Sequence, residues 1–167
     1  MTWLHTPSES AAPLEQVLSL RPQLLERYRE MYGQLWDRAL VAPRLLELCR
    51  LRIAGVHDCD AERAIEHTGA GLTPEDRRAV DRWEESAAFS ALDRAVLAFA
   101  EKMPWRQHDV TDADVVELRK YLSEAEIVAL AIAAGLFDAH CRLRLTLGVD
   151  VRPLRVEAPG SVRGPVY

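Results

Sequence analysis

Lysine is nearly missing from this sequence: Lys102 and Lys120 are the only two among 21 basic residues, and arginine supplies the rest. No basic block occurs, and 26 acidic residues leave a formal charge of −5. That balance argues against nucleic acid as a partner. Long apolar runs are absent too. The longest stretch without a polar side chain is Ile127 to Phe137, too short to span a bilayer, so no membrane is expected. The stretch from Met1 to Pro13 lacks the basic start and apolar core of a secretory signal. Cysteine is sparse and odd in number (Cys49, Cys59, Cys141), which excludes a disulfide scaffold and points to a reduced, cytoplasmic protein. Cys-x-x-Cys, His-x-x-x-His and Glu-x-x-His spacings do not occur, so no metal site is expected. Glycine-rich phosphate loops and Gly-x-Ser-x-Gly elbows are missing, and no cofactor is expected. Alternating runs of β-branched and aromatic residues are lacking, which argues against a sheet.

What is present is helix. The chain has 167 residues, 49% apolar and 28% charged, the size and composition of one globular domain. Thr73-Pro74-Glu75-Asp76 places a hydroxyl at an N-cap, proline in the first turn and acids near the positive end of the helix dipole. Ser90 to Asp93 and Thr111 to Asp114 repeat the pattern, and Ser123-Glu124-Ala125-Glu126 is a capping box. These starts predict helices over 74–87, 90–103, 112–121 and 124–147. Pro22 opens a helix to about Leu40, Pro43 one to about Val56, and Asp58 one that stops at Gly69 or Gly71. The segment after Ser123 is apolar nearly all round and belongs at the centre of a bundle or between subunits. Beyond Gly148, a tail with Pro153, Pro159, Gly160, Gly164 and Pro165 is expected to be extended and to pack on a neighbouring subunit. The expectation is a single all-α domain over 1–167, a compact bundle of six to eight helices with its core at 22–150 and its tail at 151–167.

One constellation can carry chemistry. It runs from Glu47 through Arg52 to His57-Asp58-Cys59-Asp60-Ala61-Glu62-Arg63-Ala64-Ile65-Glu66-His67. With Asp58 as cap, the Cys59 thiol would sit in a first helical turn, where the dipole favours thiolate. At 100° per residue, Cys59, Glu62, Arg63 and Glu66 share one face with His67 at its edge. Arg63 would stabilise a thiolate, whereas Glu62 and Glu66 would raise the thiol pKa, and the net sign stays open. A thiol, carboxylates and an imidazole together suit redox chemistry or proton transfer. The plainer reading is a small buried cysteine beside an ion-paired face. Cys49 reads as core, His140-Cys141 point about 100° apart and cannot share a metal, and His5 and His108 lie in loops. Trp3, Trp36, Trp83 and Trp105 read as packing or interface residues.

The run Glu47-Leu48-Cys49-Arg50-Leu51-Arg52-Ile53-Ala54 leading to Cys59 resembles the segment that enters the active site of carboxymuconolactone decarboxylase-like proteins, which include the alkylhydroperoxidase D-like thiol reductases. Trp83-Glu84-Glu85-Ser86, Phe89-Ser90, Asp93 to Ala98, Val110-Thr111-Asp112, Phe137-Asp138-Ala139, Arg142-Leu143 and Leu147-Gly148-Val149 are similar in order and spacing, so the likeness covers about 22–150. The resemblance implies an all-helical fold, a homo-oligomer (trimer or hexamer) and active sites near subunit contacts. The family's redox branch carries a glutamate, then Cys-x-x-Cys, then a histidine four residues on. Here Glu47 matches the glutamate and Cys59 the first cysteine, Glu62 stands at the second cysteine, and Glu66 falls at the histidine with His67 one step further.

Without a vicinal second thiol, Cys59 would form a sulfenic acid resolved by an external thiol reductant, with Glu47 and His67 as proton relay. A second reading, drawn from the decarboxylase branch, has Glu62 and His67 moving protons on a lactone-type acid. Its dianion would need Arg52, Arg63 or Arg142 as counter-charge. A third is a non-catalytic helical assembly. The candidate catalytic residues are Cys59, Glu47, His67 and Glu62, acting on a small-molecule substrate.

Overall fold

The computed structural model describes residues 2–6, 12–37, 40–149 and 151–156. Among them, the chain forms α1 (Pro13–Leu18), α2 (Pro22–Asp37), α3 (Pro43–Val56), α4 (Asp60–Arg63), β1 (Ile65–His67), α5 (Pro74–Ala79), α6 (Ala91–Lys102), α7 (Asp112–Arg119), α8 (Glu124–Thr146) and β2 (Leu154–Val156). The caps read from sequence form as hydrogen bonds. Thr73 and Asp76, Ser90 and Asp93, and Ser123 and Glu126 each exchange side chain-to-backbone bonds, which satisfy N–H groups that have no partner within the helix. Proline opens α1, α3 and α5 within the first turn, where its missing N–H costs nothing.

At the centre, α3 lies between α6 and α8. Leu45, Leu46, Cys49 and Ile53 of α3 pack with Val96, Phe99 and Ala100 of α6 and with Leu130, Ala134, Phe137 and Cys141 of α8. Tyr32, Leu35 and Trp36 of α2 close the same core. A smaller cluster (Leu48, Leu51, Val80, Phe89, Leu97) fills the opposite side of α3. Surrounded this way, α3 is buried nearly all round, and two of its four charged members, Glu47 and Arg50, are buried with it. The end of α8 is set by Gly148 at φ 59, a left-handed position that suits glycine, and the Val149 N–H donates back to the Arg144 carbonyl at 2.9 Å.

Three expectations fail. The helix expected from Asp58 stops at Arg63, after a single turn. Residues 65–67 are claimed instead by β2, which runs parallel to β1 with Ile65 beside Leu154 and His67 beside Val156. Two short strands therefore occur in a chain whose local pattern shows none. The tail as far as Val156 pairs with β1 of its own chain, while Pro159, Gly160, Gly164 and Pro165 lie outside the described residues. The helix expected over 74–87 is broken into α5 and a 3-10 turn at Val80–Arg82. Among the described residues, no helix is long and apolar enough to cross a membrane.

Candidate functional site

Glu47 and Arg50 stand one turn apart on α3, and the Arg50 guanidinium clasps the carboxylate through two bonds of 2.8 Å. Arg50 also reaches out of its helix. Its Nη1 donates to the Glu62 carboxylate at 3.1 Å and the Glu62 carbonyl at 2.5 Å, and its Nη2 to the Ile65 carbonyl at 2.8 Å. Arg77 of α5 donates to Glu47 at 2.5 Å and to the carbonyls of Arg63 and Ile65. Arg144 of α8 donates through Nε to Glu62 at 2.5 Å. Glu47, Arg50, Glu62 and Arg144 are all buried. Burial alone would raise the carboxyl pKa values. Arg50 outweighs it at Glu47, which is held well below the usual carboxylate range, and Arg144 with Arg50 outweighs it at Glu62, held at about 2. Three guanidiniums face two carboxylates, so the cluster carries one positive charge in excess.

His67 completes the Glu47 side. Its Nδ1 lies 2.7 Å from Glu47, and Trp36 stacks on the ring at 4.0 Å between centroids. Burial lowers its pKa although Glu47 opposes the shift, so the imidazole is neutral at pH 7. An ionised carboxylate only accepts, so Nδ1 carries the proton and Nε2 is the basic nitrogen. Glu47 and His67 thus form a direct acid–imidazole pair.

Cys59 is placed differently from the sequence reading. It is itself the N-cap residue of α4, preceded by Asp58 at φ 51, and α4 has only four residues, too few for a strong dipole. The group acting most strongly on its thiol is another thiol. The Cys141 thiol of α8 favours holding Cys59 below, and Cys59 in turn holds Cys141 above, the ordinary thiol range. The Glu62 backbone N–H and Arg144 also favour the Cys59 thiolate; burial and the Glu62 carboxylate oppose it. Both sulfurs are in fully buried residues.

The expected shared face of Cys59, Glu62, Arg63, Glu66 and His67 does not form, because the helix ends before Glu66. Glu66 turns to Arg155 at 3.0 Å. Glu62 is held by two guanidiniums. Arg52, Arg63 and Arg142, weighed as counter-charges, are taken by Glu101, by Asp81, and by Asp138 with the Trp105 ring. The cations at the site are Arg50, Arg77 and Arg144. A charged residue among apolar neighbours on α3 or α8 is the signal that could have found the first and last. His140, set aside as a neighbour of Cys141, is fully buried among Tyr28, Tyr32 and Phe137, with its pKa pushed down to about 4 by burial. His57 bonds Asp138 at 2.6 Å, away from this cluster. Cys49 is core, its thiol pushed up by burial. Among the described residues, no group of three or more His, Cys, Asp and Glu side chains is arranged to hold a metal ion. A depression of about 170 Å³ opens beside the cluster, lined by Leu51, Arg63, Arg77, Arg78, Val80 and Asp81.

No family model matches the sequence, and no curated protein matches it. Solved structures do. A crystal structure of a protein of unknown function from Agrobacterium tumefaciens, described as a candidate antioxidant defence protein AhpD, superposes with a TM-score of 0.70 and 19% identity, over 89% of this chain and 99% of that one. At that identity the likeness concerns architecture, and the fold of this chain is the all-helical, alkylhydroperoxidase D-like one.

Proposed function

We propose that this chain is a thiol-dependent peroxide reductase in which Cys59 is the nucleophile and Glu47 with His67 moves protons. The observation that supports it best is the buried cluster itself. Arg50 joins the Glu47–His67 pair to the α4 turn that begins at Cys59, and the excess positive charge matches one thiolate. In this reading the Cys59 thiolate attacks the peroxide O–O bond, becomes a sulfenic acid, and the leaving alkoxide takes up the proton the thiol gave away. Glu47 stays ionised and orients His67, whose Nε2 carries that proton. Glu62 has no acid–base part here, because Arg50 and Arg144 hold it as an anion that positions the turn. The sulfur is reached by local opening of the four-residue α4.

Peroxide consumption with a dithiol reductant tests this. Cys59→Ser should abolish turnover and Cys49→Ala should keep it. Equal rates for the wild type and Cys59→Ser would refute the assignment. A second reading rests on the Arg77-lined depression, where a carboxylate substrate would lie against the guanidinium that also holds Glu47. There His67 would be the base of a cofactor-free proton transfer on a lactone-type acid, and Cys59→Ser would retain activity while His67→Gln would lose it. Absence of turnover on both substrate classes would leave a role in helical assembly. Self-association belongs to the proposal as well. Val128 and Ile132 are 58% and 52% exposed on α8, and sedimentation of the wild type against Ile132→Asp reads whether they are covered by a second copy.

A further inference from the structure

The depression beside the buried cluster has a charge of its own. Its lining comes from Leu51 of α3, Arg63 at the end of α4, Arg77 and Arg78 of α5, and Val80 and Asp81 in the turn that follows. Three guanidiniums there stand against one carboxylate. That carboxylate is already matched, because Asp81 bonds Arg63 and lies 3.7 Å from Arg52. The Asp81–Arg63 pair rests against α3 at Gly55, where a Cβ would fall 2.5 Å from the Asp81 Oδ1 and 3.4 Å from the Arg63 Nη1, so glycine leaves room for this wall of the depression. Arg77 is fixed by three bonds, to Glu47 and to the Arg63 and Ile65 carbonyls, and keeps two of its five N–H groups for another acceptor. Arg78 is exposed and has no acceptor among the described residues. Leu51 and Val80 are buried and supply the apolar part of the lining.

We propose that this depression binds a small phosphate monoester, with the phosphate on Arg63, Arg77 and Arg78 and the carbon stem against Leu51 and Val80. Such a head carries a charge of about −1.5 to −2 at pH 7, which answers the excess of guanidinium over carboxylate. It also presents oxygens in three directions, as arginines from two separate elements require, whereas a carboxylate offers two oxygens in one plane. A volume of about 170 Å³ suits a compact head with both charges on one phosphorus. The inference stands on the depression alone and needs neither reading of Cys59. Its link to the buried cluster is Arg77, which also donates to Glu47.

The test is isothermal titration of the full chain with ethyl phosphate, inorganic phosphate, malonate and acetate at constant ionic strength. Saturable binding of both phosphates is expected at millimolar concentrations or below, with the ester tighter and the two carboxylates weaker than either. Arg78→Gln, at an exposed position outside the Glu47–His67 pair, should weaken ethyl phosphate about tenfold. Arg82→Gln, in the same turn but outside the lining, should leave it unchanged. In the isotopically labelled wild type, ethyl phosphate should move the amide resonances of Arg63 and of 77–81, which locates the site without any variant. Inorganic phosphate binding as tightly as the ester would overturn the role of the stem. Malonate binding as tightly as the phosphates, equal losses in the two variants, or shifts confined to other residues would overturn the site. Peroxide consumption enters none of these readouts, so the peroxide-reductase reading can fail while this one holds, and the reverse.

Discussion

Arg50 is fully buried and still makes five hydrogen bonds, to two carboxylates and two carbonyls. Removing it would take from buried Glu47 its main counter-charge and from buried Glu62 one of its two. Arg50→Ala is therefore expected to cost about 3–5 kcal/mol, read as a lowered denaturant midpoint, far beyond the effect of losing the exposed Arg27–Glu30 pair. His140 sets a pH dependence. Its native pKa lies at about 4 and its ordinary value at 6.5. Between these the unfolded chain binds a proton that the native chain refuses. The stabilisation is complete above about pH 6.5 and is lost as pH falls toward 4, on the order of 3 kcal/mol. Glu62 and Glu47, with depressed pKa values, add a second loss below about 4.5. Denaturant midpoints measured down the pH scale should show both steps, and His140→Leu should shrink the first to the part that the buried His67 contributes and keep the second.

Among the elements, α8 and α4 are opposites. The 23 residues of α8 carry a capping box at Ser123 and Glu126 and a glycine stop, so it forms from local instructions. Ser123→Ala is expected to lose about 1 kcal/mol, measured by chemical denaturation, with no change in the thiol reactivity of Cys59. The four residues of α4 have no side-chain cap and are too few to be helical alone. They are held by Arg50, Arg77 and Arg144, whose bonds end on Glu62 and on the carbonyls of Glu62, Arg63 and Ile65. This explains which sequence expectations held. The boundaries of α3, α6 and α8 were legible because prolines and capping pairs are short-range signals. The continuation of the 58–71 helix was misread because its competitors, three arginines and a distant strand, are invisible in a local window.

Across the whole molecule, the bundle is closed by contacts between its ends. β2 pairs with β1, and Arg155 reaches Glu66 across 89 residues. A chain ending at residue 150 is expected to lose amide protection at 65–67, read by hydrogen exchange, while the amides of α3 and α8 keep theirs. Unchanged protection at Ile65 and His67 would show that the strand pair contributes nothing. The superposition on a solved AhpD-like structure at 19% identity shows the architecture kept while most residues differ. By itself the sequence determined the extents of α3, α6 and α8, the helical class and the central place of α8, because these follow from hydrophobic period and cap chemistry over a few residues. Only the tertiary structure decided that Glu47 meets His67 and that Arg50, Arg77 and Arg144 rather than Arg52, Arg63 and Arg142 supply the charge. Apart from Glu47 and Arg50, three positions apart on one helix, such pairings join residues 12 to 82 positions apart, and a buried charge finds its partner through packing of whole elements, which no local pattern records.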